Sequence, residues 1–188
     1  QNVGLSTAQM LAANTALNTL TLLAGGSLST QAGAPDSVKL TINAGGILAL
    51  GGVQTLSVPL LTSVGVTLSI HTVGNSQLNL TGSILSTAGI IKQQSGTLVL
   101  NSPQIFTGTA NSNGVVLNGG TLRLNGGINT LLVLPTTAST YTVPTPLDVR
   151  VNNNAVLDLN GNSQVINQLT GVNSLPGLAG TVTSATPA

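Results

Sequence analysis

At 188 residues the chain is long enough to bury a core, and 41% hydrophobic residues against 4% charged ones exclude disorder driven by charge. A net charge of +1, from Lys39, Lys92, Arg123 and Arg150, together with 1% aromatics, leaves no footprint for nucleic acid. No apolar run approaches the roughly 18 residues of a membrane helix, and the absence of cysteine excludes disulfides and thiolate metal sites.

The chain starts at Gln1 without an initiator Met and without a basic-then-apolar leader, which points to a processed or excised product. Between Ala8 and Leu23 the Ala- and Leu-rich "AQMLAANTAL" admits a helix. "NTLTLLAGGSLS" reads instead as strand and turn, since x-L-x-L units there run into a glycine pair. From Val38 to Leu100 apolar pairs recur every ten residues: Val38/Leu40, Leu48/Leu50, Val58/Leu60, Leu68/Ile70, Leu78/Leu80, Ala88/Ile90 and Leu98/Leu100. With 41% hydrophobic content, fourteen apolar hits in a row arise by chance about four times in a million. Mostly small or polar residues separate the members of each pair, which is the alternation of strands with one buried face, and all seven pairs are expected to face inward. After Leu100 the phase slips and the step returns in pieces, from Leu122/Leu124 to Leu132/Leu134 and from Leu147/Val149 to Leu157/Leu159. Loop insertions at the corners of a coil produce such slips.

Short strands at a constant step, each unable to bury its face alone, predict a β-solenoid, a right-handed parallel β-helix built as one domain over residues 1–188. Residues 1–37 are expected to form N-terminal coils or a cap, 38–171 the core coils and 172–188 a C-terminal strand or tail. Two ten-residue arms would make a coil of about twenty residues, and some nine coils a rod on the order of 45 Å long. The repeated phrases "NAGGILALGG" and "LNGGTLRLNGG" place glycines at the corners. A β-sandwich is the alternative that short strands at this spacing also allow.

The stretch "SGTLVLNSPQIFTGTANSNGVVLNGGTLRLNG", Ser95 to Gly126, resembles the autotransporter-associated β-strand repeat of bacterial surface proteins. The matching residues are Gly96, Leu98, Leu100, Phe106, Thr107, Gly108, Val115 or Val116, Gly120, Leu122 and Leu124, and "AVLDLNGNSQVINQLTG", Ala155 to Gly171, is similar to a second phrase of the same repeats. The resemblance implies a right-handed parallel β-helix that is exported and bacterial, located outside the cell or on its surface. It implies scaffold or stalk and no activity.

Candidate chemistry is sparse. The acids are Asp36, Asp148 and Asp158, with no Glu; Asp148 and Asp158 lie one ten-residue step apart and are both expected to face out with Arg150 nearby. Carboxylates on neighbouring coils could cleave glycans, whereas a solvated charge cluster is the simpler expectation. His71, the one imidazole, supports no metal cluster or triad and is expected in a surface turn. Asn79-Leu80-Thr81 is a glycosylation sequon, and Asn152, Asn153 and Asn154 fit either an amide ladder between coils or a polar loop. Thr19 and Thr21 do not continue at steps of ten as an ice-binding face would require. No catalytic, cofactor-binding or metal residue is assigned, and no enzymatic activity is expected.

These readings converge on an extracellular structural protein, a solenoid subunit of a filament, stalk or layer. Its expected partners are other copies of itself stacked head to tail, with surface glycans or host surfaces possible, and neither nucleic acid nor membrane insertion. An adhesin passenger segment is the alternative, and a glycan-active enzyme a more remote one. Lys39, Arg123 and Arg150 fall in strand-like units, so resistance to trypsin is expected.

Overall fold

A four-residue x-L-x-L unit is too short for a helical turn to repeat, and its β-branched and polar outward residues suit a pleated surface. The computed structural model describes residues 1–43, 46–63, 67–86, 88–106, 114–131, 146–172 and 178–184, and these are all β with no helix. The strands are β1 (Asn2–Leu5), β2 (Ala8–Leu11), β3 (Thr15–Leu17), β4 (Thr19–Leu22), β5 (Ser27–Thr30), β6 (Lys39–Ile42) and β7 (Gly46–Leu50). Then follow β8 (Val53–Ser57), β9 (Leu60–Ser63), β10 (Leu68–Val73), β11 (Gln77–Leu80), β12 (Ser83–Ser86), β13 (Ile90–Gln93) and β14 (Thr97–Leu100). The last third holds β15 (Ile105–Phe106), β16 (Val115–Leu117), β17 (Gly120–Leu124), β18 (Asp148–Val151), β19 (Ala155–Asp158), β20 (Gln168–Thr170) and β21 (Thr181–Thr183).

Successive strands go to successive sides of a prism. The first sheet runs β1-β4-β7-β10-β13-β16-β18-β20, the second β2-β5-β8-β11-β14-β17-β19-β21, and the third β3-β6-β9-β12-β15. Every pairing is parallel, for example β4 with β7 and β14 with β17. The β-solenoid expected from the sequence is therefore the fold. Its coil differs from the expected two-armed one: three sides close each turn. Neighbouring coils are offset by 20 residues at Ser83 and Pro103, 25 at Gly51 and Ser76, and 34 at Asn118 and Asn152. Among the described residues the two long sheets hold eight strands each and the third side five, so the stack makes fewer turns than the expected nine.

Inside, side chains of one column sit on those of the next level, so each strand's apolar face is covered by its neighbours along the axis. On the first sheet the column is Leu20, Ile47, Ile70, Lys92, Leu117 and Val151. On the second it is Leu56, Leu80, Leu100 and Leu124, and on the third Leu40, Leu61 and Ile84. Phe106 is also buried in this core, which aliphatic stacking alone did not anticipate. Four of the seven sequence pairs are buried at both positions, Val38/Leu40, Leu68/Ile70, Leu78/Leu80 and Leu98/Leu100. Val58 is buried but the third-sheet column takes Leu61, and one pair points the other way. Ile47 and Ala49 of β7 are fully buried whereas Leu48 and Leu50 face out, because "GILAL" is apolar at both parities and the register with Leu20 selects the odd one. Ala88 lies before β13 and is half-buried rather than a core residue.

Corners are where the backbone loses ladder partners. At the corner entering β17, Gly120 has φ +63, and a Cβ there would run into the carbonyl oxygens of Gly96 and Gln94 on the level below. Glycine is required on both counts. The two similar phrases nevertheless occupy different sides: Gly46 to Leu50 is a first-sheet strand, and Gly120 to Leu124 a second-sheet strand. Beyond β15 the third side continues as irregular chain that still stacks, with Gln104 N donating to Thr130 O and Asn129 N to Ser163 O. Buried Gln104 accepts from Ile84 N, and Gln164 accepts from Leu131 N, so amide side chains stand in for missing strand partners.

Candidate functional site

The carboxylates expected to cooperate are separated by the corner between two sheets. Asp148 begins β18 on the first sheet and accepts a 2.7 Å hydrogen bond from Asn167 Nδ2. Asp158 ends β19 on the second sheet, 6% exposed, with Oδ2 bound to Arg123 Nε at 2.8 Å and Oδ1 to the backbone N–H of Asn160 at 2.9 Å. Its cation is Arg123 on the neighbouring strand, while Arg150 is exposed on the other sheet. Each of these two acids is thus satisfied locally, and the expectation that they share a face with Arg150 is corrected by the third side of the coil. Strand parity placed both as outward residues; it could not say that a corner intervened.

His71 lies in the middle of β10, on the outer face of the first sheet and not in a turn. Its Nε2 is 3.5 Å from Ser69 Oγ, which accepts a 3.0 Å hydrogen bond from Gln93 Nε2 on the next strand. Beside it, Gly46 leaves an open trough of about 450 Å³ walled by Thr19, Thr21, Leu48, Ser69 and His71. Among the described residues no carboxylate orients the imidazole, and no group of three or more His, Cys, Asp or Glu could hold a metal. Asn79 of the sequon sits mid-strand in β11, accepting from Gln77 Nε2 at 2.9 Å.

Lys92 is the residue that sequence reasoning missed. It is fully buried in the first-sheet column, between Ile70 and Leu117. Its Nζ donates to the carbonyls of Gln93 (3.0 Å), Gln94 (2.8 Å) and Gly119 (3.0 Å), tying one corner to the next. Burial pushes the ammonium down to about 8. The signal was present in the parity: Lys92 is two residues from Ile90 and so shares its inward face.

Two amide ladders climb the corners. Asn125 Nδ2 donates to Asn101 Oδ1 at 2.7 Å and Asn160 Nδ2 to Asn125 Oδ1 at 2.8 Å, while Asn152 Nδ2 donates to Asn118 Oδ1 at 2.6 Å. Of the Asn152 to Asn154 run, Asn152 is the ladder member, and Asn154 takes a left-handed turn with φ 60.

The ends of the stack differ from its sides. Among the described residues β1, β2 and β3 at one end and β20 and β21 at the other each have one partner strand, so one row of N–H and C=O groups on each is open. Inward apolar side chains are less covered there than along the stack: Val3, Leu5 and Leu11 are only partly buried at one end, and Leu169 (51%) and Val182 (42%) are exposed at the other.

Known protein families, curated proteins and solved structures offer no match to this chain. Function must therefore be argued from the geometry above. The described side chains give one ion pair, corner caps and amide ladders, all of which hold level on level. Thr107 and Gly108 of the repeat phrase, and Leu132 and Leu134 of the ten-residue step, lie outside the described residues.

Proposed function

We propose that this chain is an extracellular structural protein, a solenoid rod that serves as a unit of a surface filament, stalk or layer and associates end to end with copies of itself. The observation that carries the reading is the pair of open ends. Two eight-stranded parallel sheets run the length of the stack and stop in unpaired edges flanked by exposed apolar side chains. Edges of this kind recruit further strands unless they are covered. A net charge of +1 offers little repulsion between copies. The buried lysine clasp, amide ladders and continuous backbone pairing favour a mechanical role, since they reinforce the axis along which load would be carried.

Sedimentation velocity and negative-stain microscopy of the purified 188-residue chain at neutral pH test the reading. Rods longer than one subunit, with a mass distribution that grows with concentration, are expected. A single monomer boundary at tens of micromolar would overturn it.

A further inference from the structure

We infer that the junction between copies is a head-to-tail continuation of two sheets, in which β20 and β21 of one copy receive β1 and β2 of the next. The inference rests on the end-to-end reading above and specifies its contact. The receiving level consists of two three-residue strands whose inward residues, Leu169 and Val182, remain about half exposed although they align with the buried Val149 and Leu157 below them. Between these strands lies a crevice of about 270 Å³ lined by Val151, Leu169, Gly171, Ala179, Gly180 and Val182. Its small residues are enforced from below, since a Cβ at Gly171 or Gly180 would press on the carbonyl oxygen of Val151. The crevice is therefore an apolar socket, open where a further level would sit. At the opposite end Val3, Leu5 and Leu11 point inward and are only partly buried, which is what an inserted level requires.

Polarity selects the arrangement. All strands of one sheet run the same way, so translating a copy along the axis sets the first sheet on the first and the second on the second. A two-fold apposition of two identical ends reverses the order of the three sides. At the C-terminal end first-sheet edges could then meet, but the second sheet would face the third side, which beyond β15 is irregular chain and not a strand edge. At the N-terminal end β1 would meet β1 and β2 would meet β3, which closes a dimer and leaves the socket at β20 and β21 uncovered. Of the arrangements that cover the socket, translation pairs two strand edges where the two-fold pairs one, and it leaves a new open end, so growth does not close. Following the registers down the first sheet, Thr170, Arg150, Val116, Ile91, Ser69 and Gly46 share one outward column, and Asn2 pairs with Thr19 at its foot. Continuing that column sets Asn2 of the next copy beside Thr170.

The chain has no cysteine, so this contact can be read directly by cross-linking. Asn2→Cys and Thr170→Cys are prepared singly and together and treated with a short bismaleimide, with sedimentation of each variant alongside. The double variant should give a ladder of covalent multimers, the two single variants mixed should give one dimer band, and each single variant alone should give at least tenfold less. Adding Leu169→Asp to the double variant should reduce the ladder at least tenfold while its far-UV circular dichroism is unchanged. Dimers from Thr170→Cys alone, or rods that form without any cross-link between positions 2 and 170, would overturn the junction and leave the end-to-end reading standing. Monomers throughout would overturn both.

Discussion

Lys92 should make the fold more stable in alkali, against the usual behaviour of a protein approaching its lysine range. Below pH 8 the folded chain carries an ammonium with no carboxylate beside it, held by three carbonyls in an otherwise apolar column. Burial lowers its pKa from 10.5 to about 8, so the unfolded chain holds more protons than the folded one between these values. Stability then rises with pH across that window, because the penalty of burying charge, fully present below about 8, is relieved as the folded lysine deprotonates. At about 1.4 kcal/mol per pH unit the interval amounts to about 3 kcal/mol, as an upper figure, since the three carbonyls favour the charged form. Lys92→Met keeps the apolar stem and removes the titration. Urea unfolding followed by far-UV circular dichroism, suited to a chain without Trp, should give a wild-type stability that climbs by 1–3 kcal/mol, roughly, from pH 8 to 10.5. The variant should lack that climb, and titrations common to both proteins cancel in the comparison. Parallel curves for the two proteins would refute the reasoning, as would a wild type that weakens by as much as the variant.

Three further outcomes follow from the corners and faces. Gly120→Ala combines a left-handed φ with collisions against two carbonyls and should cost about 3 kcal/mol or more, whereas Gly52→Ala, with φ +79 and nothing within 4 Å of its new Cβ, should cost about 1 kcal/mol; equal unfolding midpoints for the two would be the wrong result. Asn125→Ala deletes the central rung between Asn101 and Asn160 and should lower stability by about 1–2 kcal/mol, measured by chemical denaturation, with Ser29→Ala on the second sheet as a near-neutral control. Under native conditions trypsin should spare Lys39, Lys92, Arg123 and Arg150, all within strands, for hours at a ratio that digests an unfolded control in minutes; early fragments ending at Arg123 or Arg150, seen by mass spectrometry, would contradict the continuous ladders.

The architecture was legible in the sequence because x-L-x-L units betray strands and a steady step betrays stacking. The number of sides was not. Apolar pairs at 68/70 and 78/80 are ten residues apart whether a corner turns through one third or one half of the coil, and only the pairing of β10 with β13 shows which. For the same reason Asp148 and Asp158 looked like neighbours on one face. Leu48 was misplaced because a strand apolar at both parities carries no facing signal until its neighbours fix the register. Lys92 was counted only among the four cations, although its position two residues from Ile90 assigned it to the core. Corner chemistry was partly visible: Asn152 was a candidate ladder member, but Asn101, Asn125 and Asn160 become a column only once coils are set on one another.

The three-sided stack itself is tested most directly by one distance. Val53 and Thr181 are exposed residues of the second sheet and occupy the same outward column through Gln77, Thr97, Thr121 and Val156. Five strand-to-strand steps at about 4.8 Å place their backbones about 24 Å apart along the axis. Spin labels on Val53→Cys and Thr181→Cys, with the double-labelled chain diluted into unlabelled protein, should give by pulsed electron resonance a single distance peak centred at about 24 Å and broadened by the label arms. A peak below about 15 Å, as strands folded back in a sandwich would place them, or a broad distribution without a maximum, would contradict the solenoid.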